Sequence, residues 1–300
     1  MHYLVTGGAG FIGGHLVDAL IARGDTVRIL DNFSTGSRAT VHPNAELIDG
    51  DLTRPADVAR ACVGIDGIFH VAALPRIPLS IAEPQRTHDS NVNGTLNLLV
   101  AAKDAGVKRI VYSASSSAYG NQSILPLVET MQAAPTNPYG LQKHIGELYM
   151  TVFASIYGIQ TVSLRYFNVY GPRMASEGAY VTVIAEFLRQ RAAGQPLTIA
   201  GDGEQTRDFT HIRDVVAANI LAMESADVGK GEVLNIGAGE NHSVNEIAKA
   251  VGGPVVHITA RPGEMRHTLA DTTQAKTVLG WEAKVRFAEG MGELLKGKGL

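Results

Sequence analysis

A glycine-rich turn at residues 7–13 is the feature that most constrains how this chain can fold. The preceding residues 3–6 form a short apolar run typical of a buried strand, and apolar residues recur at helical spacing over residues 11–22. Glycine between a strand and a helix allows a tight turn, and it lets the backbone and the helix N-terminus approach a pyrophosphate. The turn therefore predicts a dinucleotide-binding α/β fold. The residues expected around the phosphates are Gly7, Gly10, Phe11, Ile12 and Gly13.

An acidic residue follows the second predicted strand. Residues 26–30 have the character of a strand, and Asp31 comes 18 residues after Gly13. That separation is close to the roughly 20 residues at which a carboxylate accepts hydrogen bonds from the adenosine ribose. A carboxylate also repels a 2′-phosphate, so the sequence predicts NAD as the cofactor. Arg38, a base close by, leaves NADP open as the alternative.

Composition and charge argue against several other classes of protein. The formal net charge is −3 and there is no basic cluster, so we expect no nucleic-acid partner. No apolar run approaches the roughly 18 residues of a membrane span, and the N-terminal strand is unlike a signal peptide. Cys62 is the single cysteine, which precludes an internal disulfide and suits a reducing cytoplasm. The histidines show no ligand spacing, so no metal site is predicted.

Strand-like and helical segments alternate along the chain. This alternation predicts a Rossmann-type doubly wound parallel sheet with helices on both faces. After Gly171, glycine and proline divide the chain into shorter elements, which predict a smaller, mostly C-terminal α/β substrate lobe. We expect a dinucleotide-binding domain over residues 1–170, joined by some later segments, and a substrate lobe over residues 171–300. Further strands are expected near residues 47–48, 67–71, 109–112 and 161–165, and helices near residues 55–62, 90–105 and 138–157.

The carboxyl ends of the predicted strands indicate where ligands bind. In parallel sheets of this kind, ligands lie in a crevice beyond those ends. His70, at one such end, is interpreted as structural. The residues expected to line the cofactor and substrate cleft are Asp31, Asp51, Leu52, Ala72, Ala73, residues 113–117 and residues 166–170.

A tyrosine and a lysine lie one turn apart on a predicted helix. Asn137 and Pro138 are typical of a helix N-terminus, so Tyr139 and Lys143 share one face of the helix that follows. A phenol normally loses its proton near pH 10, and a nearby ammonium with a bound nicotinamide cation would favour the phenolate. Tyr139 is therefore predicted to act as a general base on an alcohol. Lys143 is predicted to hold the nicotinamide ribose as well.

A serine cluster follows the strand predicted near residues 109–112. A hydroxyl there can both donate and accept a hydrogen bond, so it can hold a substrate alcohol or relay its proton. Ser115 is the favoured residue for this role, and Ser116 is the second candidate.

Together these motifs resemble the extended short-chain dehydrogenases/reductases of the nucleotide-sugar epimerase/dehydratase family. The resemblance covers essentially the whole chain and is strongest to the UDP-sugar 4-epimerases. The segments that carry it are residues 6–13, 31–36, 51–52, 91–95, 115–120, 165–173 and 207–209, with Tyr139 and Lys143.

The resemblance implies a reaction, a cofactor site and an assembly. A UDP-sugar such as UDP-glucose or UDP-galactose would pass through a 4-keto intermediate, with Tyr139 exchanging the proton of the 4-hydroxyl and NAD retained between turnovers. The helices near residues 90–105 and 138–157 would pair in a homodimer. The family also implies NAD contacts from Asn32, Ser34, Thr35, Gly36, Asn91 and Phe167.

The same resemblance implies a set of substrate residues. Asn168, Arg207 and Arg261 match positions that grip the diphosphate, and paired arginines suit such a dianion. Thr268 matches a position beside the C2 substituent of the sugar, and its small size implies that an N-acetyl group is also accepted. Residues implied near the uridine are Val183 and Thr198 beside uracil and Glu264 at the ribose.

Other branches of the family fit the sequence less well. The 4,6-dehydratases carry an Asp-Glu pair where this chain has Ser116 and Ser117, and the decarboxylases also need Glu at position 117. Residues 178–181 differ from the segment typical of UDP-glucuronate epimerases, which points to an uncharged sugar. A 4-ketoreductase or a UDP-glucuronate epimerase remains an alternative. A non-catalytic dinucleotide sensor is a further one, although such proteins lose the Tyr/Lys pair.

Overall fold

The computed structural model describes residues 1–174, 182–259 and 266–300. The strands, numbered in chain order, are β1 (His2–Thr6), β2 (Thr26–Asp31), β3 (Glu46–Asp49), β4 (Gly67–His70), β5 (Arg109–Ser115), β6 (Gln160–Tyr166), β7 (Leu197–Ala200), β8 (Thr206–Asp208), β9 (Lys230–Ile236), β10 (Asn241–Ser243) and β11 (Val255–Ile258). The α-helices are α1 (Phe11–Ala22), α2 (Pro55–Cys62), α3 (Ile77–Ala82), α4 (Pro84–His88), α5 (Gly94–Asp104), α6 (Pro138–Tyr157), α7 (Val183–Ala192), α8 (Ile212–Glu224), α9 (Val244–Val251), α10 (Thr273–Leu279) and α11 (Phe287–Gly297).

A parallel central sheet forms the body of the described chain. Its strand order is β3-β2-β1-β4-β5-β6-β9, and each neighbouring pair is parallel. Successive residues of a strand point to opposite faces, which gives the sheet two cores. Val5 and Ile29 pack with α1, α8 and α10 on one face, whereas Leu4 and Leu30 pack with α2, α5 and α6 on the other. The predicted doubly wound parallel sheet is therefore confirmed.

Helix α6 begins where the sequence predicts. The Asn137 side chain accepts a hydrogen bond from the N–H of Gly140 at 2.9 Å, and Pro138 is the first helical residue. Gly158 ends the helix in the left-handed conformation, with φ of 71°. The predicted helix near residues 90–105 differs in one respect, because a π-helical turn (Asp89–Asn93) precedes α5.

Shorter elements follow residue 170. Strands β7 and β11 pair in parallel, and β8 and β10 pair antiparallel. Helices α7, α9 and α11 pack with β7 around one apolar cluster. Strand β9 instead joins the central sheet beside β6, and α8 packs against that sheet. The domain division at residue 170 stays a prediction. Among the described residues, no helix is long and apolar enough to cross a membrane.

Candidate active site

The glycine turn between β1 and α1 packs too closely to admit larger residues. Gly7 has a φ of 71°, and a Cβ on it would lie 2.8 Å from the Cα atom of Ala72. A Cβ on Gly13 would lie 2.1 Å from the carbonyl oxygen of Gly7. Gly10 is the N-cap of α1 and donates its N–H to the Gly7 oxygen at 3.0 Å. Helix α1 therefore begins beside a surface of bare backbone, which suits a phosphate group.

One cleft at the carboxyl ends of the central strands gathers most of the predicted cofactor residues. It extends from the glycine turn to the first turns of α6. Several residues expected at the strand ends, including Ala73, Ser113 and Tyr166, lie in its wall. The predicted cofactor residues that line it are Gly7, Gly10, Phe11, Ile12, Gly13, Asp31, Asn32, Ser34, Thr35, Asp51, Leu52, Ala72, Tyr139 and Lys143.

Asp31 is held by the backbone at the end of β2. Its carboxylate accepts hydrogen bonds from the N–H groups of Ala9 at 3.0 Å and Phe33 at 2.8 Å. Burial raises the pKa of Asp31, and these two hydrogen bonds oppose the rise. Arg38 stacks on the Phe33 ring at 4.1 Å and forms an ion pair with Asp49. Arg38, the residue that kept NADP as an alternative cofactor, therefore already contacts Phe33 and Asp49.

Three predicted cofactor residues lie outside the lining of the cleft. A Cβ on Gly36 would lie 2.7 Å from a carbonyl oxygen of the glycine turn, so this glycine lets the loop pack against the turn. Asn91 is buried, and its amide both accepts from and donates to the backbone of Leu74. Phe167 is fully buried in an apolar cluster. Their roles as cofactor contacts stay predictions.

The predicted catalytic residues meet at one end of the cleft. Tyr139 and Lys143 line it from α6, and the ammonium of Lys143 donates to the carbonyl oxygen of Ser113 at 2.8 Å. Ser115 ends β5 outside the cleft lining, and its hydroxyl is near enough to the Tyr139 phenol to lower the pKa of that phenol. Ser116 is buried in the short helical turn after β5 and is not part of the cleft lining. The geometry therefore groups Tyr139 with Ser115 and Lys143.

Burial shifts the proton affinities of this pair in opposite directions. Desolvation raises the pKa of Tyr139 to about 12, and the nearby Ser115 hydroxyl opposes that rise. Desolvation also lowers the pKa of Lys143 to about 7, while the charge of Glu147 opposes the fall. The sequence alone predicts a lowered pKa for the Tyr139 phenol. In the structure the opposite direction results, because removing the phenolate from water outweighs the favourable contacts.

His70 has the structural role that the sequence indicates. Its Nδ1 atom lies 2.8 Å from the Thr6 hydroxyl and its Nε2 atom lies 2.9 Å from the Thr95 hydroxyl. Burial lowers the pKa of His70 to about 3, so the ring is neutral at physiological pH. A neutral ring with both nitrogens hydrogen-bonded joins β1, β4 and α5.

Three predicted substrate residues lie together around β8. The amide of Asn168 donates to the backbone oxygen of Asp208 at 3.0 Å, and the Thr268 hydroxyl accepts from the Asp208 N–H at 3.3 Å. Arg207 donates to the backbone oxygens of Thr206 at 2.9 Å and Arg266 at 3.3 Å. Thr268 is fully buried, so its side chain borders no open space in the described structure.

The residues predicted near uracil lie in a separate part of the small lobe. Val183 is the first residue of α7. Thr198 on β7 forms two hydrogen bonds with Gln190 of the same helix: its hydroxyl accepts from the amide nitrogen and its N–H donates to the amide oxygen. Arg261, Glu264 and the stretch at residues 178–181 lie outside the described residues.

Sequence reasoning did not single out several residues that line the cleft. Pro75 follows β4 in a loop, and Ser90 lies in the π-helical turn before α5. Neither position carries a motif that could have identified it. Tyr166 ends β6, and its hydroxyl lies 3.0 Å from Ser113 and 2.9 Å from the Asn219 side chain. Unlike Pro75 and Ser90, Tyr166 is one of the strand-end residues that the sequence predicts for the cleft.

The fold and the cleft define a Rossmann-type dinucleotide-binding protein with a Tyr/Lys pair at its site. Residues 3–237 match the model of the NAD dependent epimerase/dehydratase family, and the chain belongs to this family. The predicted family is thus confirmed, and with it NAD as the cofactor.

Several characterised proteins are similar to this chain over nearly its whole length. A UDP-glucose 4-epimerase from Thermotoga maritima, solved with UDP-glucose, has 38% identity and a TM-score of 0.94, covering 99% of this chain and 98% of its own. A UDP-N-acetylglucosamine 4-epimerase from Methanobrevibacter ruminantium, in complex with UDP-N-acetylmuramic acid, has 36% identity and a TM-score of 0.92, covering 98% and 97%. The UDP-glucose 4-epimerase of Corynebacterium glutamicum is 34% identical over 94% of this chain and 90% of that protein.

Proposed function

We propose that this protein is an NAD-dependent 4-epimerase of UDP-sugars in which Tyr139 is the acid/base. The observation that carries the proposal is the position of Tyr139 and Lys143 together in the cleft that begins at the glycine turn. The similarity to named UDP-sugar 4-epimerases supports the substrate class.

The residues of the cleft fit NAD. The glycine turn lines the cleft with bare backbone at Gly7, Gly10 and Gly13, which supports binding of the pyrophosphate there, and Asp31 in the same lining would recognise the adenosine ribose. Lys143 would hold the nicotinamide ribose. When bound, NAD supplies a site that accepts a hydride from C4 of the sugar and returns it.

Tyr139 would take the proton of the 4-hydroxyl and give it back when the alcohol is re-formed on the opposite face. The pKa of about 12 keeps the phenol protonated, so it is ready for the returning step. The forward step needs a positive charge nearby, and the ammonium of Lys143, one turn along the helix, would supply it. Ser115, near the phenol, would hold the sugar hydroxyl or relay the proton.

On the substrate side, we propose that Asn168 and Arg207 hold the diphosphate, together with Arg261. A guanidinium offers forked donors that match such an anion. We also propose that the N-acetylated pair of sugars is accepted, since a UDP-N-acetylglucosamine 4-epimerase is among the similar structures. The buried side chain of Thr268 gives this proposal no support.

We further propose that the protein is a cytoplasmic homodimer. Buried Cys62, whose pKa burial raises to about 12, is an unreactive thiol compatible with a reducing compartment. A helix with apolar residues on both faces needs a second partner. On α6, one side is in the core, and the residues Leu141, Leu148, Val152 and Ile156, on the other side, are each at least 44% exposed. Light scattering at micromolar concentration is expected to give twice the chain mass, and a monomer would contradict the assembly.

An NMR time course with separate UDP-sugars tests the proposed reaction. UDP-glucose and UDP-N-acetylglucosamine should each form their 4-epimers without added reductant, and UDP-glucuronate should remain unchanged. Oxidation of the sugar to a 4-keto product, with NAD reduced to NADH in equal amount, would indicate a 4-ketoreductase running in reverse. Conversion of UDP-glucuronate alone would indicate the acidic-sugar epimerase, and bound NAD without any turnover would indicate a sensor.

A further inference from the structure

A buried carboxylate joins the segments that carry the predicted diphosphate residues. Asp208 ends β8 and is fully buried. One carboxylate oxygen accepts the N–H of Ala238 at 2.6 Å, and the other accepts those of Gly239 and Ala270 at 3.1 Å each. The first two donors belong to the turn after β9, and the third belongs to the segment at residues 266–270. Asp208 therefore connects three segments that are distant in sequence.

The backbone of Asp208 completes the junction. Its N–H donates to the Thr268 hydroxyl at 3.3 Å, and its carbonyl oxygen accepts from the Asn168 amide at 3.0 Å. Arg207 precedes it on β8, and alternate strand residues point to opposite faces. The guanidinium therefore lies on the face away from the buried carboxylate. Three predicted substrate residues are thus each directly bonded or adjacent to Asp208.

The junction depends on charge and on close packing. Hydrogen bonds from N–H groups to a carboxylate are stronger than those between neutral groups, and losing a partner of a buried group is costly. Burial raises the pKa of Asp208 to about 6, and the three N–H donors oppose the rise, so the group is a carboxylate at neutral pH. A Cβ on Gly237 would lie 2.9 Å from this carboxylate, so glycine is needed for the turn to approach it.

We infer that Asp208 is a positioning residue for substrate binding: it fixes the relative placement of Arg207, Asn168 and Thr268 without contacting the substrate itself. The inference rests on the proposed function, because it takes Arg207 and Asn168 as ligands of the diphosphate. Loss of the junction lets these ligands separate, so the affinity for the diphosphate falls. Tyr139 and Lys143 lie on α6 and are positioned independently.

The test compares Asp208→Asn with a matched variant, Asp214→Asn. Asp214 is also buried, and its carboxylate accepts the N–H groups of Lys284 at 3.1 Å and Val285 at 3.0 Å, away from β8. Both variants should lose thermal stability. Asp208→Asn should also weaken UDP binding in calorimetry by roughly tenfold, with an equal rise in KM for UDP-glucose and kcat within about threefold of wild type. Asp214→Asn should leave the Kd and KM within about twofold.

Two results would overturn the inference: unchanged UDP affinity in folded Asp208→Asn, or an equal loss in Asp214→Asn. Should Asp208→Asn fail to fold, Thr268→Val removes only the hydroxyl that accepts the Asp208 N–H. It should weaken UDP binding roughly threefold, and an unchanged Kd would count against the junction. If wild-type protein binds UDP but epimerises no UDP-sugar, the proposed function is contradicted. The UDP affinities of Asp208→Asn and Asp214→Asn would still test the role of Asp208.

Discussion

The cofactor side of the site is the cleft that runs from the glycine turn to Tyr139. Its walls come mainly from the strand ends of one sheet and the elements next to them. On the proposed substrate side, hydrogen bonds join segments that are far apart in the chain; its residues are Asn168, Arg207 and Thr268. Asn168 and Thr268 lie 40 and 60 positions from the Asp208 backbone that each contacts. The cofactor side therefore takes its shape from the packing of regular elements, whereas the substrate side takes it from individual polar contacts.

This difference separates the expected effects of mutation. On the cofactor side, a changed backbone should disrupt folding and NAD binding, and a changed polar group should affect the chemical step. On the substrate side, a changed polar group should alter affinity and leave the chemical step nearly intact. Four variants test this separation, in decreasing order of expected effect.

Gly13→Ala tests the dependence of the cofactor side on close packing. A Cβ would lie 2.1 Å from the Gly7 oxygen, so the turn must distort. We expect a loss of about 3 kcal/mol in the free energy of unfolding, together with loss of bound NAD. Gly292→Ala in α11 is the control, because a Cβ there meets nothing within 4 Å and alanine favours a helix by about 0.5–1 kcal/mol. Equal stability of the two variants would contradict the packing argument.

Tyr139→Phe tests the assignment of the acid/base. It removes the phenol proton and keeps the ring, so kcat should fall by about 10²-fold or more while NAD content and UDP affinity stay at wild-type levels. Steady-state epimerisation and calorimetry measure these effects. Tyr149→Phe on the same helix is the control and should retain full activity. Turnover like that of wild type in Tyr139→Phe would refute the role.

Lys143→Met tests the cost of the buried ammonium. Burial lowers the pKa of Lys143 from 10.5 to about 7, so between these values the unfolded state binds more protons and stability rises with pH. Below pH 7 the lysine is charged in both states, and the full cost of its burial remains. In NAD-free protein the variant should be more stable than wild type at pH 7, and its stability should no longer rise between pH 7 and pH 10.5.

Urea unfolding at pH 7 and pH 10 measures the effect of Lys143→Met. Lys108 is exposed, so Lys108→Met is the control and should keep the wild-type pH dependence. If the free energy of unfolding of Lys143→Met rises with pH as steeply as that of wild type, Lys143 is not the group that causes the rise.

Arg207→Gln sharpens the comparison from the substrate side. Loss of the forked donors should raise KM for UDP-glucose by roughly tenfold, with kcat within about threefold of wild type. The control is Arg213→Gln, since Arg213 pairs with Glu289 and Glu293 at the surface. A fall in kcat without a change in KM would place Arg207 in the chemical step and remove the distinction between the two sides.

Much of the central sheet and the cofactor side could be predicted because the signals are local. The glycine turn, Asp31 and the capped start of α6 each depend on a few neighbouring residues, and a parallel sheet with helices on both faces follows from the alternation of strands and helices. Pro75 and Ser90 could not be predicted as lining residues, since a loop and a π-helical turn bring them to the cleft without a sequence pattern.

By itself, then, the sequence determined the class of fold, the cofactor turn and the spacing of Tyr139 and Lys143. Each of these properties depends on backbone geometry over a few residues or on a repeated strand and helix period. The tertiary structure decided the direction of the Tyr139 pKa shift, because desolvation depends on every atom that surrounds the phenol. It also decided that Asn168, Arg207 and Thr268 meet, because Asp208 and its buried hydrogen bonds join segments that no local pattern relates.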